Sequence, residues 1–433
     1  MQEGKKVVKN ASWIIGCKIV KAVLTFVITA ITARYLGTAD YGLINYAASL
    51  VAFVAPIMQL GFSSTMVHEI VSRPEEEGKV IGTTVTLNLI SALFCIVGIF
   101  AFTSIVNASE TETIVVSTIY SVLLLFQALE MIHYWFQAKL LAKFSAIAML
   151  VAYIVVAVFQ TLLVVYNVSI YYFALSYSID YFVISSVLFI VYKKKGGQKI
   201  AFSFALAKEM FKVSKYYILS NLMEMMFLQT GKIIIKLMLG NSATGIYSAA
   251  GTLASMTSFI FAAILDSMRP VIFEAKKQQD QVAFEERCKD LYGIIIYFSL
   301  AQCVAITLLS PFLVWLMFGD GYVEAAAVLR VMVWFTTFSY LGSVRNIWIL
   351  SEGHQKYLWI INMSGAIVNI VLTLVFITFM GLMGAALASV ITQIVTNIVV
   401  NYLIKPIRPV NKLMWKSLNP KRMLSFIKMF TKK

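Results

Sequence analysis

The sequence predicts an all-α polytopic membrane protein, with twelve transmembrane helices in two six-helix bundles related by a parallel pseudo-twofold repeat. Three observations carry this. First, 60% of the 433 residues are hydrophobic and 13% are charged, with a mean hydropathy of +0.82, whereas a soluble domain has roughly 25% charged residues. Too few polar side chains remain to cover a water-facing surface, so the main solvent is lipid. Second, apolar stretches recur at the length of about 20 residues that crosses a hydrocarbon core. They lack the period-two alternation of a barrel, and with seven prolines and 22 glycines in the chain they are helices. Third, the first interhelical turn recurs later in the chain.

The twelve spans are placed at 10–33, 43–65, 80–105, 114–137, 145–166, 171–192, 215–238, 246–270, 291–316, 325–350, 357–379 and 384–404. The first follows an N-terminal lysine cluster, as a signal peptide does. Lys18 and Lys21 interrupt its apolar run and no small-x-small site precedes Arg34, so it is expected to be retained. Three regions follow: residues 1–200 as the first bundle, 201–404 as the second, and 405–433 as a basic amphipathic cytoplasmic tail.

Orientation comes from the loops. Lys5, Lys6 and Lys9, Arg73 and Lys79, Lys139 and Lys143, the run from Lys193 to Lys215, the group from Arg269 to Lys289, and Lys356 all fall in alternate connections. The intervening Asn107–Thr113 and Gly319–Glu324 carry only acids. This positive-inside pattern places both termini in the cytoplasm and the chain in the cytoplasmic membrane. It also accounts for the formal charge of +15 without nucleic acid. Every outer loop is short, which argues against an enzyme with an extracytoplasmic catalytic domain. Among the inner connections, Phe204–Lys215 and Phe273–Asp290 read as helices lying on the inner surface. Lys421–Lys433 sets Met423, Phe426, Ile427 and Phe430 on one side among lysines, a helix suited to anionic lipids.

The turn Arg34-Tyr-Leu-Gly-Thr-Ala-Asp-Tyr-Gly42 has a weaker copy in Leu239-Gly-Asn-Ser-Ala-Thr-Gly245. An offset of 203 residues puts Leu239 on Leu36, Gly240 on Gly37, Gly245 on Gly42 and Ala250 on Ala47. Both glycines of each copy are expected to supply the backbone conformation that closes the turn. The same offset superposes two polar faces. On the first span Lys18, Lys21, Thr25, Thr29 and Thr32 recur at three or four residues; on the seventh Asn221, Glu224, Lys232 and Lys236 do the same. Two such halves commonly enclose a cavity near the bilayer midplane.

A charge at mid-bilayer costs about 2.5–3.5 kcal/mol unless it meets water or a partner. Snorkelling to the interface serves for Arg34 and Lys236 and competes evenly with a cavity role for Lys18. It does not serve for Lys21, Glu224 or Lys232, although a Lys21–Glu224 salt bridge is an alternative that makes the pair a latch or gate. Asp180, among Tyr177, Tyr181 and Phe182, is the lone candidate for coupling-ion binding. Glu130 with His133 is a local pair or a proton relay. Asp266 with Arg269 suits a helix-surface ion pair, and Arg330 and Arg345 are further intramembrane cations, Arg345 with an open cavity role. More cations than anions line these stripes, which suits an anionic cargo.

Cys17, Cys95, Cys288 and Cys303 form no CxxC and read as apolar fillers. No metal-ligand cluster, catalytic triad or Walker motif stands out. No cofactor and no ATP is expected, only a coupling H+ or Na+, and no residue is expected to be catalytic.

The approach Lys9-Asn-Ala-Ser-Trp13, the turn Arg34-x-Leu-Gly-x-x-x-Tyr-Gly42, the second-half Leu239-Gly-x-x-x-x-Gly-x-Tyr247 and the late Gly381-Leu-Met-Gly-Ala-Ala386 resemble the polysaccharide-repeat flippases of the multidrug/oligosaccharidyl-lipid/polysaccharide exporter superfamily. The resemblance implies an inverted-V pair of six-helix bundles and alternating-access export of an undecaprenyl-pyrophosphate-linked oligosaccharide, driven by protons or sodium. It implies that Lys21 and Lys232, with Lys18, hold the pyrophosphate; Lys236, Arg34 and Arg345 complete the candidate substrate set. Glu224, Asp180, Glu130 and Asp266 are the candidates for ion coupling or gating. Glu224 on the stripe departs from a purely cationic cavity. The lipid II flippase branch is similar but carries two further helices. Expected partners are the lipid-linked oligosaccharide, anionic lipids at the basic tail, and a glycan polymerase or glycosyltransferases around a monomer. A multidrug or organic-cation antiporter is the alternative and needs an acidic or aromatic-lined cavity. A membrane-embedded glycan polymerase or ligase is a weaker one.

Overall fold

The computed structural model describes residues 2–418, except for the side chains of 2–19, 21, 22, 64, 216 and 220. The regular structure of the described residues is helical, without strands. Eight of its helices are long and apolar enough to cross a membrane, and a further pair, Tyr217–Ala254 with Ser258–Lys277, qualifies together across a 44° bend. Large apolar side chains stand on the outside of the molecule, among them Phe94, Ile105, Leu308 and Phe379. A water-soluble protein does not expose so many, and lipid covers them here. The protein is a multi-pass membrane protein.

The chain forms two compact units, Met1–Met225 and Met226–Lys433. In the first, helix α1 runs Gln2–Met58. A straight helix of that length would reach ~85 Å at 1.5 Å per residue, far beyond a bilayer. It is broken at Gly37, whose φ of 69° and ψ of −177° lie in a region open essentially to glycine alone. Helix α2 (Met66–Ser72), α3 (Glu77–Val106), the consecutive α4 (Thr111–Ser121), α5 (Leu123–Glu130) and α6 (His133–Ala138), α7 (Ala142–Val165) and α8 (Ile170–Lys194) complete the bundle. Phe62, Met66, Trp135, Phe136, Leu188 and Tyr192 form its most buried cluster, which also takes in Leu206 and Met210 from the next helix.

That next helix, α9, spans Phe204–Ala254 and crosses from the first unit into the second. Phe204–Lys215 is therefore the opening of a long helix rather than a separate surface helix. It is bound to the first unit by the Arg73–Glu209 ion pair and by Thr65 and Ser214, whose hydroxyls lie 3.0 Å apart. The sequence boundary at 200/201 follows the change in composition; the contact boundary at 225/226 follows packing, which keeps the start of α9 with the first bundle.

The segment leading into α9 is a docked strap. Ala201 N–H donates to Gly78 O at 3.2 Å, Gln198 Nε2 to Pro74 O at 2.8 Å, Ser203 N–H to Thr83 Oγ1 at 3.0 Å and Tyr192 OH to Gln198 O at 2.8 Å. Gly78 and Gly82, one turn apart on α3, make this approach possible. A Cβ at Gly78 would stand 2.4 Å from Lys199 O, and one at Gly82 2.3 Å from Ala201 O.

In the second unit α9 breaks at Gly240, with φ 84° and ψ −173°. Helix α10 (Ser258–Lys277), α11 (Gln281–Phe318), α12 (Glu324–Ser351) and α13 (Leu358–Ile394) follow. The connection near 273–290, read from its charges as a surface helix, is two helix ends around a short turn, capped where Asp280 accepts from Ala283 N–H at 2.9 Å. Gly319 ends α11 with φ 78°, and Gly381 breaks α13 with φ 55°. Gly42 and Gly245 lie within helix and have no positive φ; the expected division of the turn between two glycines falls to Gly37 and Gly240 alone. Beyond α13 come a π-helical turn, Val395–Val399, and the short α14 (Val400–Leu403) and α15 (Arg408–Lys416). Ile407, Val410, Leu413 and Met414 are buried in the core of the second unit, so residues 405–418 pack onto the bundle. The amphipathic segment expected at Lys421–Lys433 lies outside the described residues.

Candidate functional site

The first unit holds a half-open cavity of 430 Å³. Its walls come from successive turns of the helices around it. The second limb of α1 supplies Ala48, Ala52, Ala55 and Pro56, with Gln59 just beyond it; α4 and α5 supply Tyr120, Leu123 and Gln127. Tyr177, Asp180 and Tyr181 come from α8, and Asn221, Glu224 and Met225 from α9. The small residues of α1 leave the space that the longer polar side chains of the other walls enter. Tyr120 and Tyr177 pack with ring centroids 4.9 Å apart. Tyr177 lies beside Gln160, whose Nε2 donates to Ser176 Oγ at 2.7 Å. Thr25 of the first-span stripe is hydrogen-bonded to Tyr153, which lies with Tyr181 in electrostatic reach of Asp180.

Two carboxylates thus face this cavity, and its described lining contains no lysine or arginine. Lys18 and Lys21 belong to α1, but their side chains lie outside the described residues. Arg34 is exposed close to the Gly37 break, whereas Lys236 is 3% exposed. Lys232, in the second unit, is partly buried and forms no hydrogen bond or ion pair with the described residues.

Two candidates have local partners. Glu130 Oε1 lies 3.2 Å from His133 Nδ1, and Asp266 lies 3.6 Å from Arg269 on an exposed helix face. Arg330 Nε donates to Ser310 Oγ at 3.0 Å.

Arg345 is 3% exposed and has a different setting. Its Nη1 donates to Thr396 O at 3.0 Å, and Nε and Nη2 both donate to Asn346 Oδ1, at 3.2 and 2.9 Å. Thr396 belongs to the π-helical turn, where carbonyls leave the usual i→i−4 register. Arg345 supplies a donor to one of them, which its spacing in the sequence did not suggest. The meeting of Tyr120, Gln127 and Gln59 in one lining was equally hidden, because they come from different segments and no local pattern joins them.

Comparison with known proteins decides the family. The family model described as polysaccharide biosynthesis protein matches residues 7–276. The chain belongs to this family. Family members of this kind are polysaccharide-repeat flippases, and the protein is a membrane transporter of that general type. It is 23% identical over 425 residues to the capsular polysaccharide biosynthesis protein CapF of Staphylococcus aureus, covering 92% of this chain and all of that protein. Its fold is similar to that of the lipid II flippase MurJ in an inward closed conformation, with a TM-score of 0.74 at 15% identity, covering 97% of this chain and 93% of the other. It is similar also to an inward-facing multidrug resistance MATE family transporter of the MOP superfamily, with a TM-score of 0.72 at 17% identity over 90% of this chain and 96% of that one.

Proposed function

We propose that this family member flips an undecaprenyl-pyrophosphate-linked oligosaccharide repeat unit across the cytoplasmic membrane by alternating access, for surface polysaccharide synthesis. The observation that carries the reading is Lys232. Its ammonium is partly buried in an apolar helix and unpaired among the described residues. A charge so placed is costly, and an anionic cargo would relieve it. Lys18 and Lys21 are the cations offered by the first unit.

Twelve spans in two sets of six support the same reading. Counting the glycine-broken α1, α9 and α13 as two spans each, the second limb of α9 with α10 as one, and α4–α6 as one, gives twelve. Gly37 and Gly240, at the 203-residue offset, share one uncommon backbone conformation, as a parallel repeat requires. The loop charges put both termini inside. Asp180 and Glu224 are the carboxylates for coupling to protons or sodium, with no ATP and no other cofactor. A monomer working beside glycosyltransferases and a polymerase, with anionic lipid at its basic tail, completes the proposal.

The test is export. Lys232→Ala and Lys21→Ala variants that insert normally should lose surface polysaccharide and accumulate lipid-linked repeats on the cytoplasmic side. Normal export by both would remove the proposed anion site. A second reading, organic-cation antiport, is favoured by one observation: two carboxylates among three tyrosines in the first unit. It predicts that expression lowers cellular ethidium accumulation and that Asp180→Asn abolishes the effect.

A further inference from the structure

The cavity of the first unit carries chemistry that phosphate binding leaves unused. Its carboxylates, Asp180 and Glu224, repel phosphate, and a lipid tail lying against them would strip their water at a cost. A lipophilic cation would satisfy the carboxylates and the rings but has few groups for the carboxamides of Gln59, Gln127 and Asn221, which share the lining. Gln127 Oε1 is buried and has no hydrogen-bond partner among the described residues, so it is an acceptor in want of a donor.

A sugar ring matches all three kinds of group. A carboxylate only accepts, at about four lone-pair sites, and a carboxamide both donates and accepts. Two neighbouring hydroxyls of a pyranose donate together to one carboxylate, as charge-assisted bonds. The C–H face of the ring packs on a phenol ring, whose own hydroxyl remains free to bond. Size permits it: 430 Å³ falls within the roughly 300–1,000 Å³ of small-ligand pockets.

We infer that this cavity binds one neutral or amino-sugar residue of the transported glycan. Tyr177 and Tyr181 form its stacking walls, and Asp180, Glu224 and Gln127 take its hydroxyls. The inference rests on the flippase reading and assigns the glycan a site distinct from the lysines proposed for its phosphates. The carboxylate pair selects against a uronic acid, whose charge would meet two like charges at close range.

Photo-crosslinking in cells that make the cognate polysaccharide tests this. With p-azidophenylalanine at Tyr181, nearly the shape of the native residue, irradiation should give a protein adduct carrying sugar mass. The adduct should be absent from cells lacking the initiating glycosyltransferase and absent with the probe at the half-exposed Phe182. Adding Gln127→Ala should lower capture at least fivefold. If the Tyr181 variant does not insert, the probe moves to Tyr177. A probe at Thr25, one turn from Lys21 on the same polar face, separates the sugar pocket from the flippase reading. Glycan captured at Thr25 but not in the cavity overturns the sugar pocket and leaves the flippase standing; glycan captured at neither overturns both.

Discussion

Gly37 and Gly240 stand 203 residues apart and hold the same backbone conformation, φ 69° and ψ −177° in one, φ 84° and ψ −173° in the other. No atom lies within 4 Å of where a Cβ would stand at either. Each glycine is therefore required by its dihedrals and not by crowding. Gly37→Ala and Gly240→Ala should each cost about 1–3 kcal/mol, seen as a lower melting temperature of the purified protein in detergent. Gly98→Ala is the control. It is helical with equally open surroundings and should gain up to about 1 kcal/mol.

The strap between the bundles should respond to crowding instead. Gly78→Ala or Gly82→Ala drives a methyl group into the main chain of Lys199 or Ala201. Overpacking of this kind costs about 1–3 kcal/mol. Trypsin added to inside-out vesicles should cleave at Lys199 faster in either variant than in the native protein; equal rates would mean that the strap does not depend on the glycines.

Arg345→Ala should leave the buried Thr396 carbonyl without the Nη1 donor, at about 1–3 kcal/mol. Arg345→Lys should recover only part, since one ammonium cannot reproduce the bonds to both Thr396 and Asn346. Thermal unfolding of the two variants checks the order.

The carboxylates of the first unit separate latch from binding site. If Lys21 and Glu224 form a latch, the double variant Lys21→Glu, Glu224→Lys should restore the export that Lys21→Ala loses. If Lys21 holds cargo, the swap should stay inactive. Asp180→Asn should weaken the proton or sodium dependence of transport in proteoliposomes; an unaltered dependence would free Asp180 from coupling.

On the surface of the first unit, the bond from Arg73 holds the Glu209 carboxyl below its ordinary value of 4.5. A lowered carboxylate stabilises the folded state above the unfolded value, and the contribution fades as pH falls through the folded one. Native protein should melt slightly above Glu209→Gln at pH 7, and the two should converge under acid. The pair is exposed, so the gap should be small.

Much of this architecture was legible in the sequence because lipid simplifies the problem. Long apolar runs must be helices, and Gly37 and Gly240 announced their turns by the offset they share. Asp180 stood out as a charge where charge is costly. Gly42 and Gly245 misled, because a conserved spacing within two copies does not say which glycine bends the chain. The cavity was illegible for another reason. Gln59, Tyr120, Gln127 and Asn221 meet only when four helices pack, and each alone is an ordinary polar residue on an apolar helix. Phe204–Lys215 looked like surface helix because its charges hide a strip, Leu206 and Met210, that the first bundle buries.

The place where α9 changes allegiance bears on how the gene can be divided. A cut at residue 200 would yield a second fragment whose leading 25 residues, 201–225, present Leu206, Met210 and the cavity face of Asn221 and Glu224 to solvent, and a first fragment missing the same wall. Coexpressed, the fragments should find each other by restoring that interface, one arm reaching back into its neighbour as in a swapped dimer. The boundary between copies in the sequence and the boundary between folding units are thus different seams, and complementation of split halves would reveal which one the cell must respect.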